Sequence, residues 1–342
     1  MIATLEQPQP AELRNLDAIV ASLDGVNMNY GNIRALRGVD FQVRTGEVVA
    51  LLGPNGAGKT TTLRMLATLL PPSGGTAMVA GCDLLKQPGQ VRERIGYVGQ
   101  AGGSDREIMG RTELVFQGRL YGMSLAAAAS RAADLIEMLE LEACADRKVA
   151  TYSGGQKRRL DIGLGLVHDP QLLFLDEPTT GLDPQSRARV WDEVRRMHDR
   201  GTTVFLTTHY LDEADALCDR IAIIDHGQIV AIDTPEALKA SIGKDRVQIQ
   251  TADDQAAIAA LAGTFGLDAA VHEGAVTFSV ASGEQFVPRL FTELGIPIRS
   301  VSVSRPSLDD VFMSYTGKTI RDAEASGTDA MRQMAARFRG RR

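Results

Sequence analysis

No stretch of this chain comes near the roughly 18 consecutive apolar residues of a membrane-spanning helix, so any membrane role is expected to run through a partner. Positive charge is not in excess either: 37 Lys and Arg stand against 43 Asp and Glu, a formal net charge of −6. Nucleic-acid backbones are gripped by clustered Lys and Arg, so the balance excludes nucleic acid as the main ligand. The first 20 residues contain Glu6, Glu12 and Asp17 and no basic start followed by an apolar block. A signal peptide is therefore not expected, and the reading is cytoplasmic. Cysteine is scarce: Cys82, Cys144 and Cys218 are isolated and odd in number, which leaves no metal-type pair and suits a reducing compartment. Within these limits, 342 residues can hold two domains, one with a substantial core.

Glycine is plentiful, with 34 residues, and one cluster of it organises the chain. Residues 48–52 form a short apolar run of buried-strand type. Residues 53–58 are a glycine-rich loop, and residues 60–69 read as a helix with Leu63, Leu66 and Leu70 at helical spacing. Gly53, Gly58, Lys59 and Thr60 stand at phosphate-loop spacing inside the strand–loop–helix context the motif requires. Glycines let backbone N–H groups turn toward an anion, and the helix N-terminus adds partial positive charge. Lys59 would reach the outer phosphates and Thr60 would offer a hydroxyl to Mg2+. A glycine turn that merely precedes Lys-Thr is the plainer reading, and the flanking elements argue against it.

Other apolar runs also end in chemically active residues. Residues 172–175 read as a strand buried on both faces, and it stops at Asp176-Glu177-Pro178. Two adjacent carboxylates there are costly unless paired or bound to a cation. Residues 204–207 form another such strand, ending at Thr208-His209. Gly53, Asp176 and His209 thus all follow apolar strands, and parallel α/β sheets bind ligands beyond the carboxyl ends of their strands. A short strand over 96–100 ends in Gln100, and strands over 26–30 and 39–43 flank the turn Gly31-Asn32. Tyr30, at that turn, reads from its surroundings as a strand-edge aromatic. Ser153-Gly154-Gly155-Gln156 opens a helix with Ser153 as N-cap and Gln156 at the capping-box position. Gly163 and Gly165 lie inside that helix, each costing about 1 kcal/mol of propensity relative to Ala.

The organisation expected is α/β. A polar extension covers 1–21, with a short helix over 11–20, and a first domain covers 22–243. Inside it, 101–104 reads as a flexible glycine junction leading to a helical subdomain over about 101–155. Residues 244–317 change character. The order strand, helix, two strands, helix, strand over 247–250, 254–262, 269–272, 275–280, 284–294 and 298–303 is ferredoxin-like. Ser307 starts a further short helix with capping-box spacing, and no catalytic constellation stands out, so a regulatory or dimerising module is expected. The tail over 318–342 is polar, then basic. Met331, Met334 and Phe338 share a helical face beside Arg332, Arg337 and Arg339. A solvated tail is the plain reading, and contact with an anionic membrane is the alternative.

With these stretches together, the chain resembles the ATP-binding cassette (ABC) family over about 22–243. Gly53, Pro54, Asn55, Gly56, Ala57, Gly58, Lys59 and Thr60 resemble the Walker A loop, with Thr61 beside it. Gln100 resembles the Q-loop glutamine, and Ser153, Gly154, Gly155 and Gln156 the family signature. Asp176 resembles the Walker B aspartate, Glu177 the catalytic carboxylate, Asp183 the D-loop aspartate and His209 the switch histidine. The resemblance implies that Tyr30 stacks on adenine, in place of the edge reading. It also implies ATP as ligand and Mg2+ held by Thr60, Gln100 and Asp176, the last usually through water. Glu177 would be general base, with His209 and Gln100 at the γ-phosphate. Ser153 and Gly155 would reach the γ-phosphate of a second subunit, a second copy of the chain being the expected partner. Residues 305–312 resemble the end of the ATPase subunits of daunorubicin-resistance type exporters, which pair with separate polytopic permeases. The place implied is the cytoplasmic face of the membrane.

Competing functions are an importer ATPase, a chromosome-maintenance or translation factor, and a non-hydrolysing ATP-dependent module. A chromosome factor would need a long heptad coil between Gln100 and Ser153, and translation factors usually carry two Walker A stretches. Glu177 and His209 argue against a module that does not hydrolyse.

Overall fold

The computed structural model describes residues 18–317, Glu273 excepted. The chain divides into two compact units, the first running to Ile232 and the second starting at Asp233. The expected boundary near Gly243 therefore falls one helix earlier. The polar extension and the basic tail, including residues 11–17 and the apolar face expected on 331–338, lie outside the described residues.

The first unit opens with a long hairpin, β1 (Ile19–Tyr30) and β2 (Ile33–Arg44). The helix expected over 11–20 does not extend to Ile19 and Val20, which already belong to β1. Alternation buries Leu23, Val26 and Met28 of β1 and Val39, Phe41 and Val43 of β2. β3 (Val48–Leu52) is buried at every position, as an apolar run covered on both faces must be. α1 (Lys59–Leu66) follows. It stops short of the expected residue 69 because Thr68 turns to φ 61°, outside helical geometry. β4 (Gly74–Val79), β5 (Cys82–Asp83), α2 (Pro88–Arg94) and β6 (Ile95–Val98) come next. α3 (Gly110–Leu120) and α4 (Leu125–Met138) then form the helical part, and α5 (Gly154–Leu166) returns to the sheet. The unit continues with β7 (Leu172–Asp176), α6 (Pro184–Asp199), β8 (Thr203–Thr208), α7 (Leu211–Leu217), β9 (Arg220–Asp225) and β10 (Gln228–Asp233).

Two sheets result. One has the order β2-β1-β4-β5 and the other β10-β9-β3-β8-β7-β6, with β3 central. The strands from β6 to β9 pair in parallel, which puts all their carboxyl ends on one edge. Phe41 of β2 meets Phe205 of β8 edge-on at 5.3 Å, and Phe174 of β7 meets Phe205 at 5.9 Å, so aromatic packing joins the two sheets. The glycines in α5 have a packing reason. A Cβ on Gly165 would lie 3.0 Å from Val98 and 3.1 Å from Leu173, and one on Gly163 would lie 2.8 Å from Leu139. Their propensity cost is offset by close approach of the helix to β6, β7 and the helical part.

The second unit begins with α8 (Pro235–Ile242) and β11 (Asp245–Thr251), followed by α9 (Asp254–Ala260), β12 (Ala269–His272) and β13 (Ala275–Val280). α10 (Gly283–Glu293), β14 (Ile298–Ser304) and α11 (Leu308–Thr316) complete it. Its antiparallel sheet has the order β12-β13-β11-β14, the ferredoxin-like arrangement. α9 ends before the expected residue 262 and passes into one π turn through Phe265, which brings Phe265 to Phe286 at 4.9 Å in the core. Ser307 and Asp310 cap α11 reciprocally, and α11 packs along α8. Among the described residues of the whole chain, no helix is long and apolar enough to cross a membrane.

Candidate active site

The loop after β3 is shaped by contacts that exclude side chains. A Cβ on Gly53 would stand 2.3 Å from the Ile224 carbonyl oxygen. Gly58 has φ 112° and would clash at 2.6 Å with Leu36, so both positions require glycine. Gly58 caps α1 without a side-chain bond, and no acidic residue occupies the first turn. The N–H groups there keep their affinity for an anion. Ala57 is buried, Asn55 and Gly56 are exposed, and Pro54 turns the loop so that its carbonyl faces inward.

Lys59, 4% exposed, donates to the Gly53 oxygen at 2.8 Å and the Pro54 oxygen at 3.1 Å, and lies 3.2 Å from Glu177 Oε1. Thr60 Oγ1 donates to Asp176 Oδ1 at 3.0 Å and Thr207 Oγ1 donates to the same oxygen at 2.7 Å. Asp176 Oδ2 is buried without a hydrogen-bond partner among the described residues. A buried, unsatisfied carboxylate oxygen beside a threonine hydroxyl fits a hard, oxygen-seeking cation that keeps several waters. Thr60 and Asp176 therefore fit Mg2+. Gln100 donates through its amide nitrogen to Glu177 Oε2 at 3.1 Å, which leaves its amide oxygen as the atom a cation would use.

Glu177 is where these elements converge. Its φ of 45° is left-handed, and its N–H donates to the Thr207 carbonyl oxygen and to Thr207 Oγ1 at 3.1 and 3.0 Å. That bend turns its side chain toward Lys59 and His209. His209 Nδ1 lies 3.4 Å from Glu177 Oε1, an ion-pair distance without hydrogen-bond alignment. Thr180 Oγ1 donates to Oε2 at 3.2 Å. Burial acts to raise the Glu177 carboxyl, but contact with His209 and the Lys59 charge outweigh it and hold the value at about 2. The side chain is therefore an anion at neutral pH.

The signature segment is assembled separately. Ser153 Oγ accepts from Gln156 N at 3.2 Å while Gln156 Oε1 accepts from Ser153 N at 2.9 Å, the expected capping box. Gly154 is exposed, and Gly155 is buried against Ser186, whose Oγ would be 2.9 Å from an added Cβ. Asp183 caps α6 by accepting from Ser186 N and Oγ at 2.9 and 2.6 Å, and these bonds lower its carboxyl. Among the described residues, no hydrogen bond or ion pair joins Ser153, Gly154, Gly155 or Gln156 to Glu177. Tyr30 ends β1 at 45% exposure, and Thr61 is half-buried on α1.

Three side chains at the site were not singled out from the sequence. Arg158 on α5 donates to the carbonyl oxygens of Gly99 at 2.7 Å, Pro178 at 2.8 Å and Asp176 at 3.0 Å. Asp161, one turn on, accepts from Gly103 N and Ser104 N at 3.0 and 2.9 Å. The junction expected to be flexible at 101–104 is thus bonded to the signature helix. Glu213, on α7, is fully buried. The signal available in the sequence is charge on positions that the helices turn inward: Arg158 and Asp161 on α5 and Glu213 on α7 are all buried.

A family model described as "ABC transporter" matches residues 36–180, and one described as "ATP-binding protein DrrA1-3-like, C-terminal domain" matches residues 234–316. The daunorubicin/doxorubicin resistance ATP-binding protein DrrA of Streptomyces peucetius is 47% identical over 86% of this chain and 91% of its own. The Nod factor export ATP-binding protein I of Burkholderia orbicola is 39% identical over 89% of this chain and 99% of its own. Among solved structures, the dimeric ATP-binding cassette MJ0796 in a post-hydrolysis state with ADP and Pi aligns with a TM-score of 0.57. It is 25% identical and covers 63% of this chain and 98% of its own.

Proposed function

This chain belongs to the ABC transporter family as an ATP-hydrolysing subunit of the drug-resistance type, and from that premise we propose how its residues work and what it drives. It powers a separate polytopic permease as a dimer, exporting a drug or other hydrophobic compound. The observation that carries the reading is the convergence of Lys59, His209 and Gln100 on the ionised Glu177 at one sheet edge.

ATP enters with its phosphates on the N–H groups of residues 53–61 and its adenine on the exposed face of Tyr30. Lys59 exchanges its contact with Glu177 for the phosphates. Glu177, released but still held by Gln100 and Thr180 through Oε2, accepts a proton from the attacking water as general base. His209, now facing the γ-phosphate, donates to its oxygens. Thr60 and Asp176 would hold Mg2+, with the Gln100 amide oxygen beside them, and the ion would supply charge neutralisation at the phosphates. Positioning and charge stabilisation supply most of the acceleration.

Ser153 and Gly155 complete the site of the opposite subunit, so each chain supplies two half-sites. Their separation from Glu177 supports this reading. The permease has a place to dock in a cleft of about 410 Å3 lined by residues such as Tyr97, Gly103, Gln117, Tyr121 and Leu164. α3, which borders it, also exposes Phe116 and Leu120, apolar surface that a partner would cover. The protein sits on the cytoplasmic face of the membrane through that partner.

The test is Glu177→Gln. It keeps ATP binding, lowers turnover at least 100-fold and accumulates the ATP-bound dimer in size-exclusion chromatography. Wild-type turnover in that variant refutes the assignment. Recovery of the chain from native membranes without any polytopic protein refutes the transporter role.

A further inference from the structure

Glu213 lies in the first turn of α7, four residues after His209, and is fully buried. Oε1 accepts from Thr179 Oγ1 at 2.7 Å and from the Trp191 indole N–H at 3.1 Å, and Oε2 has no hydrogen-bond partner among the described residues. Such a carboxyl is expensive to bury, and no cation lies within ion-pair distance of it among the described residues. Burial pushes it up, and Thr208, Thr179 and Trp191 offset only part of that.

What it joins explains why it is kept. Thr179 stands in the turn between Glu177 and Asp183, and its carbonyl accepts from Leu182 N at 3.2 Å. Trp191 is on α6, the helix that Asp183 caps. Glu213 therefore ties three segments together: the helix after the switch histidine, the turn after the catalytic strand, and the helix entered through Asp183.

We propose that Glu213 is a positioning residue for ATP hydrolysis, its carboxyl oxygen coupling movement at His209 to the turn at Thr179 and to α6. When His209 leaves Glu177 for the γ-phosphate, α7 is pulled with it. The Thr179 and Trp191 bonds pass that shift to Asp183, the residue that caps α6. The proposal rests on the hydrolytic roles given to Glu177 and His209. It goes beyond them by assigning the link between the two half-sites.

The molecule carries its own reporter, because Trp191 is the only tryptophan in the sequence. The experiment uses the purified full-length chain. Glu213→Leu removes the acceptor at similar volume, and Glu213→Gln keeps an oxygen for Thr179 and Trp191. Turnover, KM for ATP, calorimetric affinity for ATP, melting temperature and the ATP-induced change in Trp191 fluorescence are measured together. In Glu213→Leu, kcat is expected to fall at least tenfold with ATP affinity within twofold of wild type, and the fluorescence response is lost. Glu213→Gln is expected to recover at least half of kcat and the response. If Glu213→Leu does not fold, Thr179→Val breaks the same link from its other end and is expected to show the same split.

Wild-type kcat and response in either breaking variant overturns the proposal, as does a loss in Glu213→Gln equal to that in Glu213→Leu. Glu177→Gln runs alongside. If it turns over like wild type, the hydrolytic reading falls and takes this proposal with it. If it is inactive while Glu213→Leu stays at wild-type kcat, only the role of Glu213 falls.

Discussion

Glu177 places an anion of the protein's own beside Lys59, 3.2 Å away, so the phosphates of ATP must compete with that carboxylate for the ammonium. The strength of that competitor can be worked out. Its carboxyl is held at about 2 against an ordinary 4.5, which corresponds to about 3 kcal/mol favouring the ionised form at about 1.4 kcal/mol per tenfold. Both partners are more than nine-tenths buried, so screening by water takes little from this figure. Glu177→Gln removes the competing charge, and part of those 3 kcal/mol reappears as ATP affinity. The expected outcome is that Glu177→Gln binds ATP about tenfold or more tightly than wild type, read by calorimetry with a non-hydrolysable analogue. The free protein shows the opposite sign. Because the folded value is depressed, Glu177 stabilises the fold fully above about 4.5 and ceases to do so as pH falls toward about 2. Free wild type should therefore be more stable than Glu177→Gln through the neutral range, with the gap closing in acid. Equal ATP affinity in the two proteins, or a stability gap that does not change between pH 6 and pH 3, refutes the competition.

Two further substitutions test the frame that holds the site. Arg158→Lys keeps the charge but cannot fork to the oxygens of Gly99, Asp176 and Pro178; with one of the three charge-assisted bonds kept and two lost, a loss of about 3–6 kcal/mol in urea unfolding is expected. Gly165→Ala should destabilise by about 1–3 kcal/mol despite its better helix propensity, because its Cβ would press on Val98 and Leu173; a higher melting temperature in that variant contradicts the packing account.

How far the sequence reveals this molecule depends on whether a signal is local. β3, β7 and β8 are legible because burial on both faces produces unbroken apolar runs ending abruptly at Gly53, Asp176 and His209. The phosphate loop is legible because its glycines answer steric demands of fixed spacing. β1 and β2 are legible only in their inner parts. Register shifts between Ile19 and Ala21 and between Leu23 and Val26 break the two-residue period, so no alternation marks the strand's start at Ile19. Arg158, Asp161 and Glu213 are legible only as charges, since what a buried polar group faces comes from elsewhere: Thr179 is 34 positions from Glu213. The same holds for residues 101–104. Their composition says flexible, and only the fold brings the Asp161 carboxylate to their N–H groups.

Gly155 offers a sharper test of the two half-sites, because its lack of a side chain has two competing explanations. Within the subunit, a Cβ would stand 2.9 Å from Ser186 Oγ and 3.0 Å from Ser186 Cβ, so the glycine could serve only to let α5 close on α6. Across a dimer, it would let the signature backbone approach the partner's phosphate. Ser186→Gly separates them by deleting both atoms the methyl would meet, while the Ser186 backbone N–H that Asp183 accepts is retained. Gly155→Ala alone is expected to abolish ATP-driven dimerisation and to lower turnover at least 100-fold. In the double variant with Ser186→Gly the intramolecular clash is gone, so stability should return to that of Ser186→Gly while dimerisation and turnover stay lost. Recovery of the ATP-bound dimer in the double variant would assign Gly155 to internal packing and remove the signature backbone from the opposite active site.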